Sequence, residues 1–307
     1  MTIAANLWRR RFPALPKGES RLFNVEPGTQ VRGECHWQPN PQKRPAIVLL
    51  HGLEGSCDSG YILGTAEKAW LAGFSVVRLN QRNCGGTEHL TSTLYHSGRS
   101  SDICAVLLEL IERDNLQQLF AVGFSMGGNL VLKMAGEFGD AAPPQLKGFV
   151  AVAPALDLAA CVDALAEPRN FLYERHFMRR LKRRIRHKAR LYPEIYRLNG
   201  LRKIRTVREY DDMLTAPHCG FLSAADYYAR SSAAQFVARI ARPTLILAAE
   251  DDPFVPHAPI VEALRCANPH IKLLLTLHGG HCAFISQSRE ERFWSEARVV
   301  DFCSQFA

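Results

Sequence analysis

The sequence predicts an α/β fold: a mostly parallel central sheet with helices on both faces. Three observations carry that expectation. Short apolar runs of strand length alternate with helix-length amphipathic segments. The alternation breaks once, after Pro154, and resumes at Pro243. Of the 307 residues, 47% are hydrophobic and 22% charged, which excludes disordered and collagen-like classes and permits a full core.

Residues 21–37 read as two short strands around the turn Glu26-Pro27-Gly28-Thr29, followed by a proline-rich link over 39–45. The βα rhythm then begins with a buried strand at 46–50, a helix at 65–71, a strand at 74–79 and an amphipathic helix at 102–113. It continues with a strand at 119–123, a helix at 127–138 and a strand at 148–153. Parallel strands need such crossovers, so the helices must cover both faces. After the break come a strand at 244–249, a helix at 258–265, a strand at 271–277 and a last helix at 290–302. We therefore expect one domain over 1–307, with residues 155–236 as a helical, basic and aromatic insert between two sheet strands, a lid by position.

The formal net charge is +8. Between Arg169 and Arg208 stand 15 Lys or Arg against two acids, so that stretch carries +13 and the remainder −5. A basic chain suggests nucleic acid or an anionic surface as partner. Here a mildly acidic body carries one very basic insert, and no nucleic-acid motif accompanies it, so nucleic acid is not the expected partner. Phe171, Leu172, Phe177, Met178, Leu181 and Ile185 recur at roughly helical spacing among the charges. Such a helix covers the pocket, or also lies against an anionic membrane surface.

The apolar runs fall far short of a membrane span. The basic run Arg9-Arg10-Arg11 follows a short apolar stretch, the reverse of a secretory signal. The nine cysteines are scattered, with no Cys-x-x-Cys pair, unlike a disulfide framework or zinc ribbon. These features together read as cytoplasmic.

The chemistry starts at Gly123-Phe124-Ser125-Met126-Gly127, a G-x-S-x-G pattern directly after an apolar strand and before a helix. The pentapeptide alone is common. Its position makes it informative, because a nucleophilic serine must sit on a sharp strand-to-helix turn whose crowding small neighbours relieve. Such a serine needs a base and an acid to orient that base, and in α/β-hydrolases they follow in the order Ser, Asp, His at strand ends. The strand at 244–249 runs into Glu250-Asp251-Asp252-Pro253, and the strand at 271–277 into His278-Gly279-Gly280-His281. Similar loops place the carboxylate four residues before a proline, here Pro256, which favours Asp252 over Asp251. His281 is favoured over His278 because Gly279-Gly280 gives it a flexible, close approach. A His-x-x-His metal pair is the alternative reading of the two histidines, without a third ligand nearby. The oxyanion donors would be the amides of Met126 and of Leu53 in His51-Gly52-Leu53-Glu54-Gly55.

These residues resemble the YheT-like branch of the α/β-hydrolases, related to abhydrolase-domain esterases and to fungal medium-chain alcohol acyltransferase/esterases. The resemblance runs from about residue 20 to the end. It includes His51 to Gly55, Asn80 to Gly86, Leu94 to Gly98, Gly123 to Asn129, Arg208 to Asp212, Tyr227-Tyr228 and the Asp251-Asp252-Pro253 loop. Asn83 departs from it, since similar proteins often carry glycine there. The resemblance implies serine-dependent hydrolysis of carboxylic esters with Ser125, Asp252 and His281, and no metal or organic cofactor. Tyr95 to Gly98 either line the pocket or form a loop leading into a helix. Arg82 either meets an anionic substrate group or pairs with an acid across the sheet edge. Cys84 reads as a buried structural thiol or a redox-sensitive one. The expected activity is a carboxylesterase on a small ester with short- to medium-chain or lipid-like acyl groups. An alcohol acyltransferase on the same triad and an idle binding protein on the same scaffold are the alternatives.

Overall fold

The computed structural model describes residues 10–265, 267–288 and 291–307. Arg9 of the basic run, Cys266 and Glu290, the expected start of the last helix, lie outside the described residues. The sheet strands are β1 (Glu19–Glu26), β2 (Thr29–His36), β3 (Ala46–Leu50), β4 (Ser75–Leu79), β5 (Leu119–Phe124), β6 (Leu146–Val152), β7 (Thr244–Ala249) and β8 (Ile271–Thr276). Their spatial order is β1-β2-β4-β3-β5-β6-β7-β8. The first two pairings, β1 with β2 and β2 with β4, are antiparallel, and the rest are parallel.

Among the described residues five helices flank the sheet: α1 (Gly60–Leu71), α2 (Ser100–Glu112), α3 (Met126–Phe138), α9 (Ala258–Ala263) and α10 (Trp294–Gln305). Side chains alternate across a strand, and β3 shows the consequence. Ala46, Val48 and Leu50 pack toward α2 and α3, whereas Ile47 and Leu49 pack toward α1 and α10. Both faces are therefore apolar, which is why β3 and β5 read as continuous hydrophobic runs. Each Val or Leu so buried contributes roughly 1.5–3 kcal/mol.

Two helix starts differ from the sequence expectation by more than two residues. Helix α1 starts at Gly60, five residues early, because Ile62 already belongs to the face shared with Ala66 and Ala69, while a glycine at its first position hides the signal. Helix α10 starts at Trp294, because Phe293 is held out of helical geometry, with φ of −104° and ψ of 77°, by a bridge to Ile285 and by the Trp294 amide bonding the Phe284 carbonyl.

Residues 153–243 separate β6 from β7. They hold α4 (Leu158–Leu165), α5 (Phe171–Leu191), α6 (Val207–Tyr210), α7 (Ala216–His218) and α8 (Ala224–Ser231), with a π-helical stretch Asp211–Thr215 joining α6 to α7. The insert is not helical throughout: residues 193–206 form turns and irregular backbone. Among the described residues no helix is long and apolar enough to cross a membrane.

Candidate active site

All four loops singled out in the sequence leave the C-terminal ends of the parallel strands. They meet where β3 separates β4 from β5, the switch point at which such sheets open a crevice. Leu50 of β3 lies beside Gly123 of β5, so the loop after β3 faces the turn after β5.

Ser125 occupies that turn with φ of 55° and ψ of −119°, a left-handed conformation that costs a side-chain-bearing residue of order 1–3 kcal/mol. The surrounding structure holds it there: its amide donates to the Val152 carbonyl at 2.8 Å and its carbonyl accepts from Asn129 and Ala155. The flanking glycines have a steric reason. A Cβ on Gly123 would stand 2.1 Å from the Gly127 carbonyl oxygen, and one on Gly127 would stand 2.5 Å from that of Leu50.

The Ser125 hydroxyl lies 2.8 Å from His281 Nε2, and His281 Nδ1 lies 2.8 Å from Asp252 Oδ2. Asp252 is fixed in turn, since its Oδ1 accepts from the amides of Phe254 and Val255. With Nδ1–H donated to the carboxylate, the neutral imidazole presents its Nε2 lone pair to the serine. Burial lowers the His281 pKa, but the Cys282 sulfur and the Asp252 carboxylate raise it by more, leaving it well above 6.5.

Asp251 has a different place. Its Oδ1 accepts from the Gly279 and Gly280 amides, both at 2.7 Å, and Oδ2 faces the exposed His278 ring at 3.5 Å. It shapes the turn that delivers His281, and the ring itself is met by Asp252.

In the loop after β3, three amides have partners: Gly52 donates to the Tyr61 hydroxyl, Glu54 to the Tyr95 hydroxyl and Gly55 to the Gly52 carbonyl. Among the described residues the Leu53 amide has no acceptor, nor does that of Met126 in the first turn of α3. Both residues line the same pocket as Ser125. His51 anchors the loop as a neutral ring. Burial lowers its pKa to about 4, Nε2 accepts from the Gln81 amide, and Nδ1 bonds the Gly52 carbonyl.

The pocket is mainly apolar, with Leu158, Phe177, Leu181 and Phe254 among its walls. Phe254 also packs its ring 4.3 Å from that of His281. Of the stripe expected on α5, Phe177 and Leu181 line the pocket and Met178 and Ile185 are buried, but Phe171 and Leu172 are exposed. The stripe is shorter than expected because Phe171 and Leu172 fall on the solvent side of the first turn, which packs through Tyr173 against Phe254 instead.

The open readings resolve on contacts. Tyr95, His96 and Ser97 line the pocket and also lead into α2. Arg82, fully buried, pairs with Asp102 and Glu26. Cys84 is buried, which pushes its thiol up to about 11. Asn83 has φ of 62°, a conformation asparagine tolerates and glycine adopts freely, so the departure preserves the backbone.

Sequence reasoning missed the Glu54–Arg184 pair. Arg184 of α5 donates Nε and Nη2 to the two Glu54 oxygens at 2.7 and 3.0 Å, and the Tyr95 hydroxyl donates to Oε1. Glu54 adjoins Leu53, so the insert grips the loop beside the serine. Asn129 carries more than its place in the motif suggests: its amide group bonds the Ser97 and Ser231 carbonyls and the Ala233 amide, tying the pocket loops to α3.

A left-handed serine, a half-buried His–Asp couple and two amides unpartnered among the described residues at the strand ends define a site of the kind built for acyl transfer on an α/β sheet. The sequence matches the family described as alpha/beta hydrolase fold over residues 45–288. It is 33% identical over 276 residues to "Putative esterase YheT" of Escherichia coli, covering 88% of this chain and 80% of that protein. It is 30% identical over 244 residues to phospholipase ABHD3 of Mus musculus (79% and 59%). It is 28% identical over 289 residues to medium-chain fatty acid ethyl ester synthase/esterase 2 of Saccharomyces cerevisiae (85% and 62%). The chain thus spans about three fifths of the latter two relatives. The solved Pyrococcus furiosus esterase Pf2001 shares the fold, with a TM-score of 0.61 at 14% identity over 94% of this chain and 93% of that one. The chain belongs to the α/β hydrolase fold family, and within it to the YheT-like esterases.

Proposed function

We propose that the protein is a serine carboxylesterase. The single observation that supports this most is the continuous relay from Ser125 Oγ through His281 to Asp252, with both links at 2.8 Å. Ser125 attacks the ester carbonyl while His281 Nε2 takes its proton. The tetrahedral oxyanion rests on the amides of Leu53 and Met126. Collapse expels the alcohol, which takes the proton from His281, and water repeats the sequence on the acyl-enzyme to release the acid and regenerate Ser125. Asp252 orients the imidazole and stabilises its charged form. The steps need no metal or organic cofactor.

The apolar pocket favours short- to medium-chain or lipid-like acyl groups, and residues 155–236 act as its lid. A cytoplasmic location belongs to the same reading. An activity-based fluorophosphonate probe is expected to label the wild type at Ser125 and not Ser125→Ala; an unlabelled wild type would overturn the nucleophile assignment. A general base must be neutral, and His281 sits well above 6.5. Hence kcat/KM is expected to rise with pH along a limb whose midpoint lies above 6.5, and a profile already flat below that value contradicts the role given to His281.

A second reading, alcohol acyltransfer, is favoured by the similarity to the yeast ethyl ester synthase/esterase. The same acyl-enzyme serves both, with an alcohol replacing water. Product analysis with added ethanol separates them: free acid in excess is expected, and ethyl ester in excess supports transfer. An idle binding protein is disfavoured, because binding alone does not require a strained serine hydrogen-bonded to a His–Asp couple.

A further inference from the structure

The outer face of α5 is a row of cations without acids. Arg175, Arg179, Arg183, Arg186 and Arg190 are exposed and recur every three or four residues, so they form one stripe about 22 Å long. None of the five has an acidic partner among the described residues. By contrast Arg184, one step round the helix, is buried against Glu54, and Lys188 donates to the carbonyls of Glu88 and Thr91. The charge is thus sorted by face: Arg184 and Lys188, with Arg180 at 3.9 Å from Glu54, fasten the helix to the body, and the stripe is left to solvent. Arg179, Arg183 and Arg186 also border a single surface groove with His176, Arg180 and Lys182. At the start of the same helix Phe171 and Leu172 are 57% and 65% exposed, and on its inner side Phe177 and Leu181 line the pocket that holds Ser125.

We infer that this face of α5 docks on an anionic lipid surface and sets the pocket against the bilayer from which an ester enters. Charge complementarity selects an anionic partner. The pair Phe171–Leu172 selects a lipid one, because a bilayer offers apolar depth beside its charged headgroups whereas a phosphate backbone offers Leu172 nothing to enter. The order of faces on α5, cationic outside and pocket-lining inside, places the arginines at the headgroups while an acyl chain passes on the other side of one helix. The delivery of substrate rests on the esterase reading; the docking does not.

The test is vesicle flotation, with phosphatidylcholine vesicles compared against phosphatidylcholine–phosphatidylserine vesicles. The Ser125→Ala protein is included so that docking is scored independently of turnover. Flotation with the anionic vesicles alone is expected, weakening as salt screens the charges. The variant Arg179→Gln/Arg183→Gln/Arg186→Gln changes exposed side chains outside the pocket. It should bind anionic vesicles about 100-fold more weakly and hydrolyse a water-soluble ester like the wild type, which also reports that it is folded. Equal binding to both vesicle types, binding to neither, undiminished binding by the triple variant, or binding to duplex DNA without binding to vesicles would each overturn the proposal. If docking holds while the wild type hydrolyses no ester, the esterase reading fails and the surface stands.

Discussion

Ser125→Ala is expected to lower kcat on p-nitrophenyl esters by about 10⁵–10⁶-fold, the scale on which removing a triad nucleophile acts. The variant should fold. Alanine keeps the small Cβ that already fits the turn, and the amide and carbonyl of residue 125 retain their bonds to Val152, Asn129 and Ala155. The two aspartates provide the matching comparison. Asp252→Asn breaks the orientation of His281, and a loss of about 10⁴-fold is expected. Asp251→Asn keeps an oxygen able to accept from Gly279 and Gly280, and its loss should be smaller by at least about tenfold. Steady-state kinetics on purified variants decide this. Near wild-type hydrolysis by Ser125→Ala would remove the mechanism, and a larger loss in Asp251→Asn would exchange the roles of the carboxylates.

Arg184→Ala is expected to destabilise the protein by about 3–5 kcal/mol, the cost of leaving one member of a buried ion pair without its partner. Glu54 is 3% exposed and Arg184 has 9% of its side chain exposed, so both charges sit largely out of bulk water. The remaining polar neighbours are the Tyr95 hydroxyl and Arg180, whose Nε is 3.9 Å away. The guanidinium also stacks 5.1 Å from the Tyr95 ring centroid, and alanine cannot supply that cation–π attraction. At a few degrees per kcal/mol for a chain of this size, the melting temperature should fall by roughly 10 °C. Activity should fall too, because Glu54 adjoins Leu53, which lines the pocket with Ser125. The double variant Glu54→Gln/Arg184→Met removes both charges and should recover much of the stability. Thermal unfolding followed by circular dichroism reads both variants; a melting temperature unchanged within about 1 °C in Arg184→Ala shows that the pair contributes nothing net.

Much of the candidate site was legible because the chemistry of strand ends is local. Gly123 to Gly127 announces its turn within five residues, and the strand before it is bounded as expected at Leu119. The Asp252 and His281 loops were identifiable because each follows an apolar strand directly. What the sequence left even, Arg82 between substrate and structure, needed a partner 20 residues away at Asp102 and another 56 away at Glu26. The Glu54–Arg184 pair spans 130 residues. Before folding, Arg184 is one basic residue among 15 in its stretch.

The sequence by itself determined the βα order, the burial of both sheet faces, the strained serine turn and the placement of nearly all excess charge in one insert. These follow from short-range rules: side-chain periodicity, turn sterics and composition. The tertiary structure alone decided which aspartate meets His281, which amides stay unpaired beside Ser125, and how the basic charge divides. Those outcomes depend on where distant segments come to rest, and on the helical geometry that turns Arg184 into the body and its neighbours Arg183 and Arg186 toward solvent.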